Sequence, residues 1–288
     1  NTEAWDVSAD PSPDGSTLYF CSILGGALHL TQAPIIPICD FNGDGIIDLD
    51  DLLTVIDCWG TGETLCDIGP MPWGDGFVDK KDLEVLMSHW GQEVNDPTLM
   101  ANWKLDEMEG PVACDSAGAH DGSLVGNPVW QPTGGKIGGA LRLDGVDDCV
   151  TTAFVCDPSK GSFSVFAWVQ GGAAGQVIVS QDKGANWLLA DPATGAIMSG
   201  LQSGGRNSKA HYSNVIIADG NWHRVGFTWD GSNRTLYVDG IAVAQDTQSG
   251  LAGSTGGLNL GAGSTLAPGT FWKGLIDDVR IYSRVVRP

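Results

Sequence analysis

The chain has 288 residues, 42% of them hydrophobic and 17% charged, with 41 glycines, a composition that predicts packed cores broken by many turns and suits an all-β protein better than a helical one. Its net charge of −20 repels nucleic acid and anionic membrane surfaces and makes metal cations the natural partners. No run approaches the ~18 apolar residues of a membrane span and no signal peptide stands out, although Asn1 opens mid-pattern, as after a cleaved leader or a missing upstream region.

Three stretches follow one another: residues 1–33, 34–97 and 98–288. The first reads as strand, turn, strand. Pro11-Ser-Pro-Asp-Gly15 is turn chemistry, Thr17–Cys21 is a β-prone run, and Gly25-Gly26 precedes a second run from Ala27 to Leu30. The string from Asp10 to Phe20 resembles part of one repeat of a TolB-type β-propeller. Only about half of one blade is present, and an isolated hairpin is marginal in water. The segment is therefore expected to pack on its own chain or to be donated to a second copy by strand addition, which would build a homopolymer.

The second stretch starts stiffly at Pro34 and Pro37 and holds an internal repeat offset by 31 residues: Gly43-Asp44-Gly45 recurs as Gly74-Asp75-Gly76, Asp51-Leu52 as Asp82-Leu83, and Trp59-Gly60 as Trp90-Gly91. Each half is a loop feeding an amphipathic helix. Leu52, Leu53, Val55, Ile56 and Trp59 in one, and Leu83, Val85, Leu86 and Trp90 in the other, are expected to pack face to face.

The run from Asp40 to Asp51 places oxygen where an EF-hand loop needs it. Asp40, Asn42, Asp44, Asp48 and Asp51 supply side chains, Ile46 supplies a carbonyl, and Gly45 allows the sharp turn. Ca2+ takes six to eight such ligands. Position 12 is Asp51 rather than the usual Glu. In the second loop Asp82, Asp79, Asp75 and the Phe77 carbonyl keep the spacing, but Trp73 and Met71 fall where ligands are needed. A four-residue insertion, Pro70–Trp73, would restore Asp67 as first ligand and make Cys39 and Cys66 equivalent; a degenerate loop kept as a turn is the alternative. Two loop-plus-helix halves in tandem resemble dockerin modules. The resemblance implies a calcium-dependent fold and docking to a cohesin-like partner.

From residue 98 onward short β-runs alternate with glycine. Expected strands are Met100–Leu105, Ala140–Leu143, Ser162–Val169, Gln176–Gln181, Trp187–Ala190, Ala196–Leu201, Val215–Ala218, Trp222–Trp229, Thr235–Val238 and Leu275–Tyr282, a density that means a β-sandwich or jelly roll. The strings Gly138–Asp148, Asp219–Gly231 with Thr235–Gly240, and Gly274–Tyr282 closely resemble laminin-G-like, concanavalin-A-like jelly rolls. The whole is thus expected to be mainly β, with a small dockerin-like helical module and an N-terminal hairpin. The family resemblance also implies one structural calcium where the first and last strands meet, with Asp115, Asp121 and Asp277 as its candidates.

Seven cysteines carry no CxxC pair or zinc-like spacing, so disulfides are expected, Cys66 with Cys39 or Cys58 and Cys114 with Cys149 or Cys156, and the odd count leaves at least one thiol free or paired outside the chain. No catalytic set is apparent: the Glu-x-Asp-x-x-Glu strand of glycosidases with this fold is missing, and His223 reads as a packing or hydrogen-bonding residue rather than a base. Trp187 and Trp272 are the candidates for a sugar-stacking platform. The expected function is that of a non-catalytic, extracellular or cell-surface bacterial protein that binds calcium and serves structure or adhesion. The alternative is a carbohydrate-binding or cohesin-docking region of a larger secreted protein.

Overall fold

The computed structural model describes the backbone of residues 9–11, 17–24 and 27–34, and residues 39–41, 46–63, 66–70, 74–91, 96–204 and 209–286 in full. Two compact units divide the chain, residues 1–96 and 97–288. No helix among the described residues is long and apolar enough to cross a membrane.

In the first unit β1 (Ala9–Pro11), β2 (Thr17–Leu24) and β3 (Ala27–Pro34) form an antiparallel sheet in that order. Leu24 opposite Ala27 and Thr17 opposite Pro34 fix the register of the expected hairpin, whose strands run several residues longer than the sequence pattern suggested.

Two helices of nine residues follow, α1 (Leu49–Asp57) and α2 (Lys80–Ser88). Each begins on a capping box. Asp48 accepts from the Asp50 N–H while Asp51 reaches back to the Asp48 N–H, and Asp79 and Asp82 repeat this on α2. Both helices are too short to persist alone, and they share one core of Phe41, Ile47, Val55, Val78, Leu86 and three cysteines.

The 31-residue repeat has a physical meaning here. The Gly60 N–H donates to the Val78 carbonyl at 2.8 Å, and the Gly91 N–H donates to the Ile47 carbonyl at 2.7 Å. Each half therefore clasps the loop of the other through equivalent residues. Gly60 and Gly91 stand at φ +76° and +73°, the left-handed conformation that ends a helix at least cost in glycine. The expected packing face is only half right. Leu52, Leu83 and Val85 pack on the core with Val55 and Leu86, whereas Leu53, Ile56, Trp59 and Trp90 are 50%, 51%, 47% and 40% exposed.

The second unit is a two-sheet β-sandwich with a jelly-roll architecture. One sheet has the order β17 (Ile241–Thr247), β16 (Asn233–Val238), β15 (Trp222–Trp229), β10 (Phe163–Gly171), β19 (Lys273–Tyr282), β8 (Ala140–Asp144), β7 (Val129–Gln131), and β4 (Leu99–Trp103) pairs with the far end of β19. The other has the order β14 (His211–Ile216), β13 (Ala196–Ser199), β12 (Asn186–Ala190), β11 (Val177–Gln181), β18 (Leu258–Leu260), β9 (Cys149–Thr151), β6 (Gly122–Val125), β5 (Val112–Ala113).

Alternation sets the layers. Val165, Ala167 and Val169 of β10 and Val225, Phe227 and Trp229 of β15 point into the core between the sheets. There Phe163 meets Trp187 at 5.3 Å and Phe227 at 5.7 Å between ring centroids. The residues in between, Phe166, Trp168 and Gln170 on β10 and Trp222 and Arg224 on β15, face the opposite way. The expected strand Val215–Ala218 is displaced to His211–Ile216, because Ile217 leaves the strand to enter the core and hands its N–H to the Gly195 carbonyl.

Candidate functional site

The outer face of the first sheet carries a groove of about 420 Å³ lined by Gln131, Arg142, Gln170, Gly171, Gly220, Gly274 and Leu275. Strand register explains the set. Arg142 lies opposite Leu275, Leu275 opposite Gln170, and Gln170 opposite Trp222, so four neighbouring strands contribute one continuous row. Its floor is set by close backbone approach: a Cβ on Gly274 would lie 2.0 Å from the Gln170 carbonyl oxygen, which forbids any side chain there. Two outward aromatics flank the row. Trp222 extends it, and the Trp168 ring receives the Lys136 ammonium at 5.2 Å from its centroid. Amides, a guanidinium and apolar ring faces can together recognise the hydroxyls and the C–H faces of a sugar.

The sugar-platform candidates proposed from sequence lie elsewhere. Trp187 and Trp272 are each 0% exposed. Trp187 is held in the inter-sheet core, and the ring of Trp272 fills the space above Gly172, where a Cβ would come within 2.3 Å of it. The groove residues were not singled out in the sequence, because each is an ordinary outward strand or turn residue until the register of four distant strands aligns them. The period-two alternation along β10, which turns Trp168 and Gln170 outward, was the one legible signal.

Beside the groove lies a buried carboxylate. Asp277 on β19 is 0% exposed. Its Oδ2 accepts from the Lys136 N–H at 2.7 Å and the Ile137 N–H at 2.9 Å, while Oδ1 has no hydrogen-bond partner. Burial pushes its pKa up to about 7; the two N–H donors oppose this, and the charges of Asp278 and Asp106 add to it. Asp278 is compensated by Arg280 at 2.9 Å. Asp106 binds the turn from the other side, accepting from the Gly139 N–H at 2.5 Å. The turn between β7 and β8 is so tight that a Cβ on Gly135 would sit 1.8 Å from the Gly139 carbonyl oxygen and 2.9 Å from Asp277 Oδ2.

An all-oxygen set around a buried, partnerless carboxylate oxygen fits a hard cation such as calcium. Asp115 and Asp121 are bound to one another instead, the Asp115 N–H donating to Asp121 Oδ1 at 2.8 Å. Both oxygens of Asp115 are already taken, by the N–H groups of Asn102, Ala117 and His120 and by the His120 ring. Burial alone would raise the Asp115 pKa, but these donors hold it below the ordinary value. The structure thus groups Asp277 with Asp106, and Asp115 with Asp121 as the organiser of a turn. Asp106 went unnoticed in sequence, where it stands in the turn after the first strand of this unit.

In the helical unit the first loop brings two buried carboxylates together, Asp40 at 1% and Asp51 at 0% exposure, beside the N-cap Asp48. Burial and then the charges of Asp51 and Asp40 push the neighbouring Cys39 thiol up to about 12. Ile46 is described and lies at the surface, while Asn42 and Asp44 fall outside the described residues.

The second loop shows where the insertion sits. Asp51 Oδ1 accepts from the Phe41 N–H at 2.6 Å, and Asp82 Oδ1 accepts from the Ile68 N–H at 2.7 Å. Asp51 and Asp82 are 31 residues apart but Phe41 and Ile68 only 27, so four residues are added between Ile68 and Asp82, and Asp67 stands where Asp40 does. The Asp67 carboxylate accepts from the N–H groups of Asp75 at 2.9 Å and Gly76 at 2.7 Å. Asp79 caps α2, Phe77 lies exposed next to it, and Asp75 is paired to the Lys81 ammonium, which lowers the Asp75 pKa. At the position of Lys81 the first loop has Asp50. The first loop is thus purely acidic, while the second carries its own cation. Oxygen donors of both loops fit calcium by type.

His223 links two turns, Nδ1 to Asp239 at 2.8 Å and Nε2 to Asp219 at 3.2 Å. Burial would lower its pKa; the hydrogen bond and charge of Asp239, then those of Asp219, outweigh burial and raise it. This agrees with the hydrogen-bonding role read from sequence.

Residues 144–288 match the laminin-G-type model described as the concanavalin A-like lectin/glucanases superfamily. None of the curated proteins matches the chain. Solved structures of similar fold include domain 4 of AbnA, a GH43 extracellular arabinanase from Geobacillus stearothermophilus, in complex with arabinotriose, at 22% identity and TM-score 0.51 over 66% of this chain and 94% of that one. The binding domain of Paraclostridial Mosquitocidal Protein 1 (11% identity, TM-score 0.53) is covered to 50% by 67% of this chain. The receptor binding domain of botulinum neurotoxin D (14% identity, TM-score 0.50) is covered to 51% by 67% of this chain. The chain therefore spans about half the length of the two toxin domains, and identities this low show the fold alone. With half of its residues matched by the family model and both sheets of the sandwich in place, the chain belongs to the concanavalin A-like lectin/glucanases superfamily.

Proposed function

We propose that the chain is a non-catalytic, calcium-supported adhesive protein of the cell exterior whose outer-sheet groove seats a neutral carbohydrate. The observation that carries this reading is the cross-strand row Arg142, Leu275 and Gln170 in an open groove, with Trp222 next in the register beside it. A net charge of −20 disfavours acidic polysaccharides and leaves neutral glycans as the better ligands. A lectin-like fold, and the arabinotriose complex of the arabinanase domain, are compatible with that ligand class.

Calcium belongs to the same reading. At Asp277 and Asp106 it would hold the β7–β8 turn, one wall of the groove, by neutralising the buried Asp277 carboxylate with the exposed Asp106 beside it. In the helical unit Asp40, Asn42, Asp44, Ile46, Asp48 and Asp51, and more weakly Asp67, Asp75, Phe77, Asp79 and Asp82, would hold two further ions in a dockerin-like pair. Those ions supply fixed positive charge that lets the loops fold; no reaction step is assigned to them.

The test is a glycan array of neutral oligosaccharides, arabinose-containing ones included, followed by titration calorimetry. Arg142→Ala and Gln170→Ala, both on the outward face, are expected to weaken binding at least about tenfold without lowering the melting temperature. Chelation should weaken it as well. A wild-type protein that binds no glycan, or that binds equally well after both substitutions, rules the groove out.

A second reading has its own support. Leu49, Leu53 and Ile56 form an exposed stripe along α1, 58%, 50% and 51% accessible, as a cohesin-like partner would require. Self-assembly by strand addition is supported by the eight-residue edge strand β3.

A further inference from the structure

Three cysteines, Cys39, Cys58 and Cys66, share the core of the helical unit, each 6% exposed or less. The Sγ atoms of Cys58 and Cys66 stand 2.7 Å apart. Thiols are weak hydrogen-bond donors, and two sulfurs do not approach so closely without a bond between them; the separation is nearer to the ~2.05 Å of a disulfide than to a non-bonded contact. Of the two pairings the sequence left open for Cys66, the geometry selects this one.

We propose that Cys58 and Cys66 form a disulfide that ties the end of the first helix to the start of the second loop. Cys58 is the C-cap of α1, its N–H bonded back to Thr54 and Ile56. Cys66 directly precedes Asp67, whose carboxylate gathers the N–H groups of Asp75 and Gly76. The bridge closes the turn of residues 58–66 and anchors Asp67 at one end.

The chemistry is thiol–disulfide exchange. One thiolate attacks a small-molecule disulfide such as oxidised glutathione and releases one thiol; the second thiolate attacks the resulting mixed disulfide and releases the other. The protein loses two protons and two electrons and gains one S–S bond, while the small disulfide is reduced to two thiols. Cys39 is fully buried in the same core and is left as a thiol.

Peptide mapping tests this on the whole chain. Protein equilibrated with reduced and oxidised glutathione is unfolded in the presence of iodoacetamide, then cut before Asp57, after Glu63 and before Asp67 without reduction. The fragments 57–63 and 64–66 each carry one cysteine. They are expected to be joined, unalkylated, and to separate on reduction, each then accepting one alkyl group. Recovery of both fragments already alkylated, or of either one linked to a Cys39 peptide, overturns the proposal.

Discussion

Asp277→Asn tests whether the buried carboxylate is a cation site or only a constraint on the turn. In metal-free protein the native pKa of Asp277 is about 7 against an ordinary 3.8. Between those values the folded state holds a proton that the unfolded state has released, so stability present below about pH 4 is lost as pH rises toward 7. A difference of about three units, at ~1.4 kcal/mol each, makes this loss about 4 kcal/mol. Asparagine removes the titration and keeps an acceptor for the Lys136 and Ile137 N–H groups. Its amide nitrogen, however, occupies the place of Oδ1, where nothing bonds, at a pH-independent cost of ~1–3 kcal/mol.

The two effects have opposite signs, so a crossover is expected. Metal-free variant should be the less stable protein at pH 4 and the more stable one at pH 7. Urea unfolding followed by tryptophan fluorescence reads this directly, because Trp103, Trp187, Trp229 and Trp272 are all buried in this unit. Adding calcium at pH 7 should stabilise the wild type and leave the variant nearly unchanged. A stability difference that stays constant from pH 4 to 7, or equal calcium responses in both proteins, refutes the reasoning.

Lys81→Ala removes the cation paired to Asp75, so calorimetry should find the second loop binding calcium several-fold more tightly, with the first loop unchanged; an unaltered isotherm would mean that Lys81 does not compete. His223 has its folded pKa raised by Asp239 and Asp219, so the stability it contributes is full below about pH 6.5 and declines as pH climbs through the folded value. His223→Gln should flatten that decline, on the order of 1 kcal/mol for a partly exposed pair, in melts taken from pH 6 to 9; a wild type whose stability is flat there counts against the pairing.

The jelly roll could be read from the sequence because its long strands bury one face. Nine of the ten expected runs overlap their strands by most of their length, and the tenth is pulled off register by the apolar string Val215–Ala218. The strands that escaped are β5, β6, β7, β9, β17 and β18. Several of these are two or three residues long, too short for a period of two to show. β17 is mostly exposed at an edge and lacks an apolar alternation. The helices were legible by their repeat and apolar spacing, but not the face they bury. A core built from two nine-residue helices has room for Leu52 and Val55 on α1, which leaves Leu53, Ile56 and Trp59 toward solvent.

The candidate sites divide along the same line. A calcium loop is a local object: spacing along one short segment sets where its oxygens can go, and the donors of Asp40–Asp51 and Asp67–Asp82 were countable before any fold was known. The equivalence of Asp67 with Asp40 required only one further fact, the shared bond from the following N–H to Asp51 or Asp82. The groove is a non-local object. Arg142, Leu275, Gln170 and Trp222 are spread over more than 130 residues of sequence and become neighbours only through antiparallel register, which a one-residue slip on any strand would undo. Asp277 belongs to both kinds. Its own strand was recognisable, but its burial under the Lys136–Gly139 turn and its proximity to Asp106 depend on three segments meeting. That meeting places a buried carboxylate against the turn that follows Gln131, so the proposed calcium site and the groove share one piece of backbone: on that proposal, whatever neutralises Asp277 also decides how firmly that wall is held.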